Sequence, residues 1–347
     1  MRSLVRGLLA TWLLALTVAQ TAAVALVWWI FVRTPHGQVV DATVLRGTGF
    51  GRASAEHLVG GVLDAVSLAS LVAATVVLGF IALARRRVLL AVAATVLVAG
   101  ANLTTQVLKD HVISRPDLGI PGTNIGAPNS LPSGHMTVAA SVAFAAVMVV
   151  PARLRATVAV LGACYATLTG VATLSAGWHR PSDALAALLI VGAWASAVAM
   201  VLVLAQRSRT TGAPSDPHPR MVGWLALVGG AALVGAVLLV ALADQGSLTP
   251  PVEVGRSRLV LAYAGGAMGV AGASCLAMAL VLATVHRVVP RLAGPPVATV
   301  TPEPAETVEP PAAAERFGPG ADLAAAGESG RVDRGASPER KADAVGS

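Results

Sequence analysis

Three short polar clusters interrupt an otherwise apolar chain, and their residue types suit chemistry on an anion. Lys109 opens the run Lys109-Asp110-His111-Val112-Ile113-Ser114-Arg115-Pro116, Pro132-Ser133-Gly134-His135 follows, and His179-Arg180-Pro181-Ser182-Asp183 comes third. Cations and histidines at the ends of membrane helices are costly to place and mark functional sites by default. A lysine point charge beside an arginine fork suits a phosphate with several oxygens. Ser133 is a natural N-cap, Gly134 lets the backbone approach a ligand closely, and the free N–H groups of a helix start attract anions. His135 then lies where it can deliver a proton. His179 and Asp183 are spaced i, i+4, so the carboxylate can bond one imidazole nitrogen, fix the tautomer and leave the other nitrogen free to attack. That spacing also suits two metal ligands, but the further ligands of a metal centre are not evident in the sequence, and no metal or other cofactor is expected. Each cluster alone has an ordinary reading as a snorkelling cation, a helix start or a capped His–Asp pair. Their combination and order point to a phosphate site.

The elements that must position these residues are membrane helices. The chain is 55% apolar and 12% charged over 347 residues, which excludes an ordinary soluble globule and leaves little room for a separate soluble domain. Apolar stretches lie near 7–32, 58–84, 88–108, 135–151, 156–176, 183–205, 221–243 and 258–285. Each is close to the ~20 residues needed to cross the hydrocarbon layer, and backbone polar groups in lipid must be satisfied within the segment, so these are helices. The expected fold is an all-α, polytopic membrane helical bundle. The first stretch follows Arg2 and Arg6 like a signal peptide, but it exceeds the ~7–15 apolar residues of one and reads as an uncleaved helix.

Orientation follows from arginine. Arg2 and Arg6, Arg85-Arg86-Arg87, Arg153 and Arg155, then Arg207, Arg209 and Arg220, and finally His286, Arg287 and Arg291 flank alternate connections, which belong in the cytoplasm. The remaining connections, 33–57, 109–134, 177–182 and 244–257, then face outward and carry all three polar clusters. Both termini are expected inside, in the cell (plasma) membrane. The net charge of +7 reads as topology signal and lipid-headgroup contact, and no nucleic-acid partner is expected. Cys164 and Cys275 fall in separate apolar stretches and read as packing residues. The arginine-rich, lysine-poor composition suits a high-GC bacterium such as an actinobacterium.

Other polar residues have plainer readings. Asn102, Gln106 and Lys109 share one helix face, which should turn to the bundle. Asp64 reads as paired inside the bundle, His36 and His57 as solvated, His111 as near the site without a place in its pattern, and His218 and His286 as cytoplasmic. Trp28, Trp29 and Trp178 read as interface anchors. Gly265 and Gly269 form a GxxxG, a packing seam within the chain or between two copies in a homodimer.

Taken together, the clusters resemble the type 2 phosphatidic acid phosphatase (PAP2) family, integral-membrane lipid phosphate phosphatases related to vanadium haloperoxidases. The pattern is a Lys followed by Arg-Pro, then Pro-Ser-Gly-His, then Ser-Arg with a downstream His-x-x-x-Asp. The resemblance covers residues 1–205, a six-helix phosphatase core. It leaves a linker at 206–219, an extension of two additional transmembrane helices at 220–290 and a disordered tail at 291–347. It implies that His179 attacks phosphorus, Asp183 orients it and His135 is the general acid and base. Lys109, Arg115, Ser133 and Gly134 would hold the phosphoryl oxygens of a lipid phosphate, with surrounding membrane lipids as the other partners. The sequence departs from the pattern in two places. Five residues, not the usual six, separate Lys109 from Arg115, and Ala172-Thr173 stands where Ser-Arg is expected. Thr173 could offer a hydroxyl, and Arg180 could supply charge from another direction or serve as an interfacial anchor.

Overall fold

The computed structural model describes residues 2–50, 60–61, 68–84, 86–126, 129–205, 218–244 and 249–289. Among them there is no strand, and the elements are helices: α1 (Arg2–Arg33), α2 (Pro35–Gly47), α3 (Leu68–Ala84), α4 (Val88–Val107), α5 (Gly134–Val149), α6 (Arg155–Ser175), α7 (Pro181–Ala205), α8 (Pro219–Asp244) and α9 (Arg256–Val288). Six segments are long and apolar enough to span a membrane: Leu4–Arg33, Val88–Val112, Ala152–Ser175, Pro181–Ala205, Pro219–Asp244 and Arg256–Val288. The chain is an all-α bundle of membrane helices. The described α3 and α5 are apolar but shorter. For α5 the reason is packing. Met136, Phe144 and Val147 are fully enclosed by neighbouring helices, so this helix needs no full lipid crossing.

Helix α7 is central. Two thirds (67%) of its most apolar window is buried, against 17% for α8 on the rim. It packs along α1, α4, α5 and α9. Helix α1 turns its other face outward, with Trp12, Leu26 and Trp29 exposed as a lipid-facing helix requires. Expected as part of an extension, α9 packs directly on α2, α6 and α7, and residues 1–292 form one compact unit. The GxxxG glycines belong to the seam between α8 and α9. A Cβ at Gly265 would lie 2.8 Å from Val240 and one at Gly269 3.6 Å from Ala236, so within this chain the motif is already occupied.

The sequence reading treats 33–57 as a plain connection, whereas the structure contains α2. Thr34 caps it by accepting a hydrogen bond from the Gly37 N–H (3.1 Å), and Pro35 occupies the first turn, where a missing N–H costs nothing. The fold-back is tight: a Cβ on Gly37 would collide with the Ile30 carbonyl at 1.9 Å. Gln38, Asp41 and Ala42 are buried by α2 in the bundle.

The connections carrying the polar clusters gather at one end. Gln38 Nε2 donates to the Pro116 carbonyl (3.0 Å), His36 meets Asp244 at 3.1 Å, and Gly122 lies against Val252. His36 is thus half-exposed with an acidic partner. At the opposite end, Arg6 donates to the carbonyls of Val203 and Leu204, and His218 bonds to the Ala152 carbonyl (3.1 Å). His57, Asp64, linker residues 206–217 and the tail from 291 lie outside the described residues.

Candidate active site

Helix α4 does not end at Val107 but widens into a π-helical turn, Leu108–Val112, before the chain becomes extended at Ile113. This turn carries Lys109, half-buried, and His111, exposed. A π turn adds a residue per turn, so it rotates Lys109 relative to the stripe that begins at Asn102. Asn102 faces the bundle and donates to Ser141 Oγ (3.2 Å), whereas Gln106 is exposed beside Gly134. Asn129 fastens the turn to the next cluster by donating to the carbonyls of Lys109 and Ile113.

Ser133 caps α5. Its Oγ accepts from the Met136 N–H (3.3 Å), and its own N–H donates to the Asp183 carbonyl (3.1 Å), joining the second cluster to the third. Gly134 lies beneath the Gln106 side chain, whose Nε2 would be in ordinary van der Waals contact, 3.7 Å, with an added Cβ. A helix first turn with no side chain at Gly134 and only the exposed Gln106 over it is where an anion can meet backbone N–H groups.

The third cluster lies on the turn between α6 and α7. His179 and Trp178 are positioned by backbone N–H groups that donate to the Thr173 carbonyl at 3.3 and 3.0 Å. Asp183, fully buried, approaches His179 Nδ1 with Oδ2 at 3.3 Å and accepts from the Arg180 N–H at 2.8 Å. Nδ1 is therefore engaged, and Nε2 is the nitrogen left for chemistry. The rings of His135 and His179 lie 6.1 Å apart, and Trp178 stands 5.6 Å from His135 as an exposed wall.

The structure thus brings His135, His179, Asp183, Ser133 and Gly134 together, with Lys109 on the turn that Asn129 ties to them. Arg115 is at the same end, but its guanidinium is engaged. NH2 donates to Asp41 Oδ2 (3.4 Å) and NH1 to the Phe31 carbonyl (3.2 Å). Arg180 is enclosed by the bundle rather than exposed as an interfacial anchor would be, and its charge acts on Asp183, Asp41 and Arg115. It is buried and donates to Ser130 Oγ (2.7 Å) and the Ile125 carbonyl (2.5 Å), bracing the loop before α5. Thr173 is buried and donates to the Gly170 carbonyl (2.9 Å), so its hydroxyl serves its own helix. The Arg33 guanidinium lies 5.6 Å from the Trp28 ring, a cation–π contact at the end of α1.

Sequence reasoning misses three polar residues that hold this site, Asp41, Asn129 and Ser130, and gives no role to Ser182, whose hydroxyl donates to Asp41 Oδ2. Asp41 had one available signal. Thr34-Pro35 is a helix-start pair, and it predicts that the residues after it are helical rather than loop. The last helix also reaches the site. Tyr263 bonds through its hydroxyl to Ser175 Oγ (2.8 Å), and Gly266 sits where a Cβ would strike Pro181 at 2.9 Å.

Comparison with known proteins returned no match among curated proteins or solved structures. The family model of the PAP2 superfamily matches residues 88–207, the segment that runs from α4 through α7 and contains Lys109, Arg115, Ser133, Gly134, His135, His179 and Asp183. Helices α1, α2, α3, α8 and α9 lie outside the match, and it is the segment from α4 through α7 that is similar to the PAP2 superfamily.

Proposed function

We propose that this protein hydrolyses a lipid phosphate or pyrophosphate monoester through a phosphohistidine intermediate, at the outer face of the cell membrane. Phosphatidic acid, phosphatidylglycerol phosphate and polyprenyl pyrophosphate are the candidate substrates. The superfamily match over residues 88–207 supports phosphatase chemistry in general. The observation that carries the specific reading is the placement of His135 and His179 with ring centres 6.1 Å apart, Asp183 behind His179 and the Ser133-capped first turn of α5 that carries His135.

In the first step His179 Nε2 attacks phosphorus. The P–O bond to the leaving group breaks, and the leaving oxygen takes its proton from His135. Asp183 holds the Nδ1 proton and stabilises the imidazolium that forms. In the second step His135 removes a proton from water, the oxygen attacks phosphorus, and the P–N bond breaks to return neutral His179 and phosphate. Lys109, Arg115 and the N–H groups of the α5 first turn offset the charge that shifts among the phosphoryl oxygens. General acid–base assistance of this kind is worth roughly 10²–10⁴-fold. No metal takes part, so hydrolysis should survive EDTA.

The decisive experiment is phosphate release from a panel of lipid phosphates by the purified protein in detergent, with His179→Ala as control. Release by the wild type and none by the variant is expected. Tight lipid-phosphate binding without turnover would instead make the protein a binder, a reading that the buried, uncharged Thr173 motivates. An alkaline phosphatase fusion in the 109–134 loop tests the face; a silent fusion would turn the protein over.

A further inference from the structure

Among the described residues, the proposed mechanism leaves one buried carboxylate unused. Asp41 is 1% exposed and lies on α2, outside the segment matched by the superfamily. A single oxygen, Oδ2, takes both of its contacts, the Arg115 guanidinium at 3.4 Å and the Ser182 hydroxyl. Arg115 belongs to the segment that follows the Lys109 turn. Ser182 is on the first turn of α7, next to Asp183 and three residues from His179. One carboxylate therefore spans the two halves of the site, the half that holds phosphate and the half that attacks it. Desolvating a charge is costly unless it is paired and hydrogen-bonded, and here two separate chain segments supply the partners.

We infer that Asp41 is a positioning residue for phosphoryl chemistry: it fixes the Arg115 guanidinium relative to the first turn of α7, so that phosphate binds in line with His179. The inference rests on the hydrolytic reading for its role in turnover, but the positioning of an anion can be tested without turnover. Arg115 retains N–H groups beyond the two engaged ones, because a guanidinium has five in a fixed fork. Asp41 and the Phe31 carbonyl hold one edge of that fork and thereby aim the rest.

The charged groups facing Asp41 are Arg115 before Pro116, Arg180 on the turn before α7 and Asp183 within α7, while α9 faces α2 with Leu259, Tyr263 and Gly266. Burial pushes the Asp41 carboxyl up to about 6, against the opposing pull of Arg115. The sign follows. Above pH 6 Asp41 is charged and holds Arg115; as pH falls through 6 it protonates, and the ion pair is lost.

The test is orthovanadate binding to the full-length protein in detergent, by calorimetry, for wild type and Asp41→Asn between pH 5 and 8. The ratio of the two affinities cancels the titration of the ligand itself. The wild type should bind about tenfold or more tightly at pH 7.5, the scale of a lost charge-assisted contact, and the ratio should approach one below pH 6. A ratio of one at pH 7.5, tighter binding by the variant, or a ratio that does not change with pH overturns the inference. If Asp41→Asn does not fold, Ser182→Ala replaces it. That variant cuts only the link to α7, so kcat should fall with KM and vanadate affinity held, and an unchanged kcat overturns the inference. A wild type that binds vanadate but releases no phosphate from any lipid would sink the hydrolytic reading alone, leaving the affinity ratio to judge Asp41.

Discussion

Replacing Gly266 with alanine should damage catalysis although Gly266 is far from phosphate-binding residues in sequence. The added Cβ would lie 2.5 Å from Val44 Cγ1 and 2.9 Å from Pro181 Cγ. Carbon atoms rest at about 3.5–4.0 Å, so the three helices must separate by about 1 Å. Neither neighbour can rotate away. Val44 is β-branched and stiff, and Pro181 is a closed ring at the first position of α7. Overpacking of this kind costs about 1–3 kcal/mol of stability. The displaced atom matters more than the energy, because Pro181 sits between Arg180 and Ser182 and a shift there moves the turn carrying His179. Misplacement by about 1 Å lowers rates on the order of 10²-fold, or about 2.7 kcal/mol in barrier. The control is Gly235→Ala, whose Cβ would also fall 2.5 Å from a neighbour, but from the terminal methyl of Met268. That side chain has three rotatable bonds and can yield. Phosphate release and detergent unfolding should be measured on both variants. The reasoning is refuted if Gly266→Ala keeps activity within about twofold of wild type, or if Gly235→Ala is equally impaired.

Two further outcomes are expected. Asp183→Asn keeps the shape of the His179 contact but removes the charge that stabilises the imidazolium, so kcat should drop about 10²–10⁴-fold with little change in vanadate affinity; a loss confined to KM would assign Asp183 to binding. Arg180→Met should destabilise the protein by about 3–5 kcal/mol in denaturant titrations, because Ser130 and the Ile125 carbonyl lose buried donors, and Arg180→Lys should not restore it, since a lysine cannot reproduce the fork. Wild-type stability in Arg180→Met would show that the brace before α5 is dispensable.

What was legible in the chain follows the range of the interaction. Ser133 capping α5 and His179 meeting Asp183 are contacts three and four residues apart, so local spacing reveals them. The apolar stretches are legible because lipid forces every spanning segment to satisfy its own backbone. Asp41 meets Arg115 across 74 positions and Ser182 across 141, and nothing local announces either partner. Helix α2 reads as a connection because half its residues are polar or glycine, and only the contacts made by Gln38 and Asp41 show that those polar groups face inward. The GxxxG of α9 is visible as a seam, but a glycine motif does not name its partner. Here Gly265 takes α8, while the adjacent Gly266 takes α2 and α7. The π turn at Leu108–Val112 is hidden for a related reason, since its one-residue offset has no compositional mark.

The absence of an arginine at Thr173 changes meaning once the charges are placed. Arg180 donates to the loop before α5, and its charge also acts on Asp183, Asp41 and Arg115. In the proposed reading Lys109 and Arg115 are side-chain cations for phosphate, with the first turn of α5 as a further source of positive potential. Arg115, in turn, is held by a carboxylate that the superfamily segment does not contain. A site with fewer cations depends more on where each one points, because a misdirected donor cannot be covered by a neighbour. That dependence gives α2 and α9 a physical reason to be packed around the catalytic turn. In the proposed mechanism one supplies Asp41 to aim Arg115, and the other presses Gly266 against Pro181 to fix the helix start beside His179.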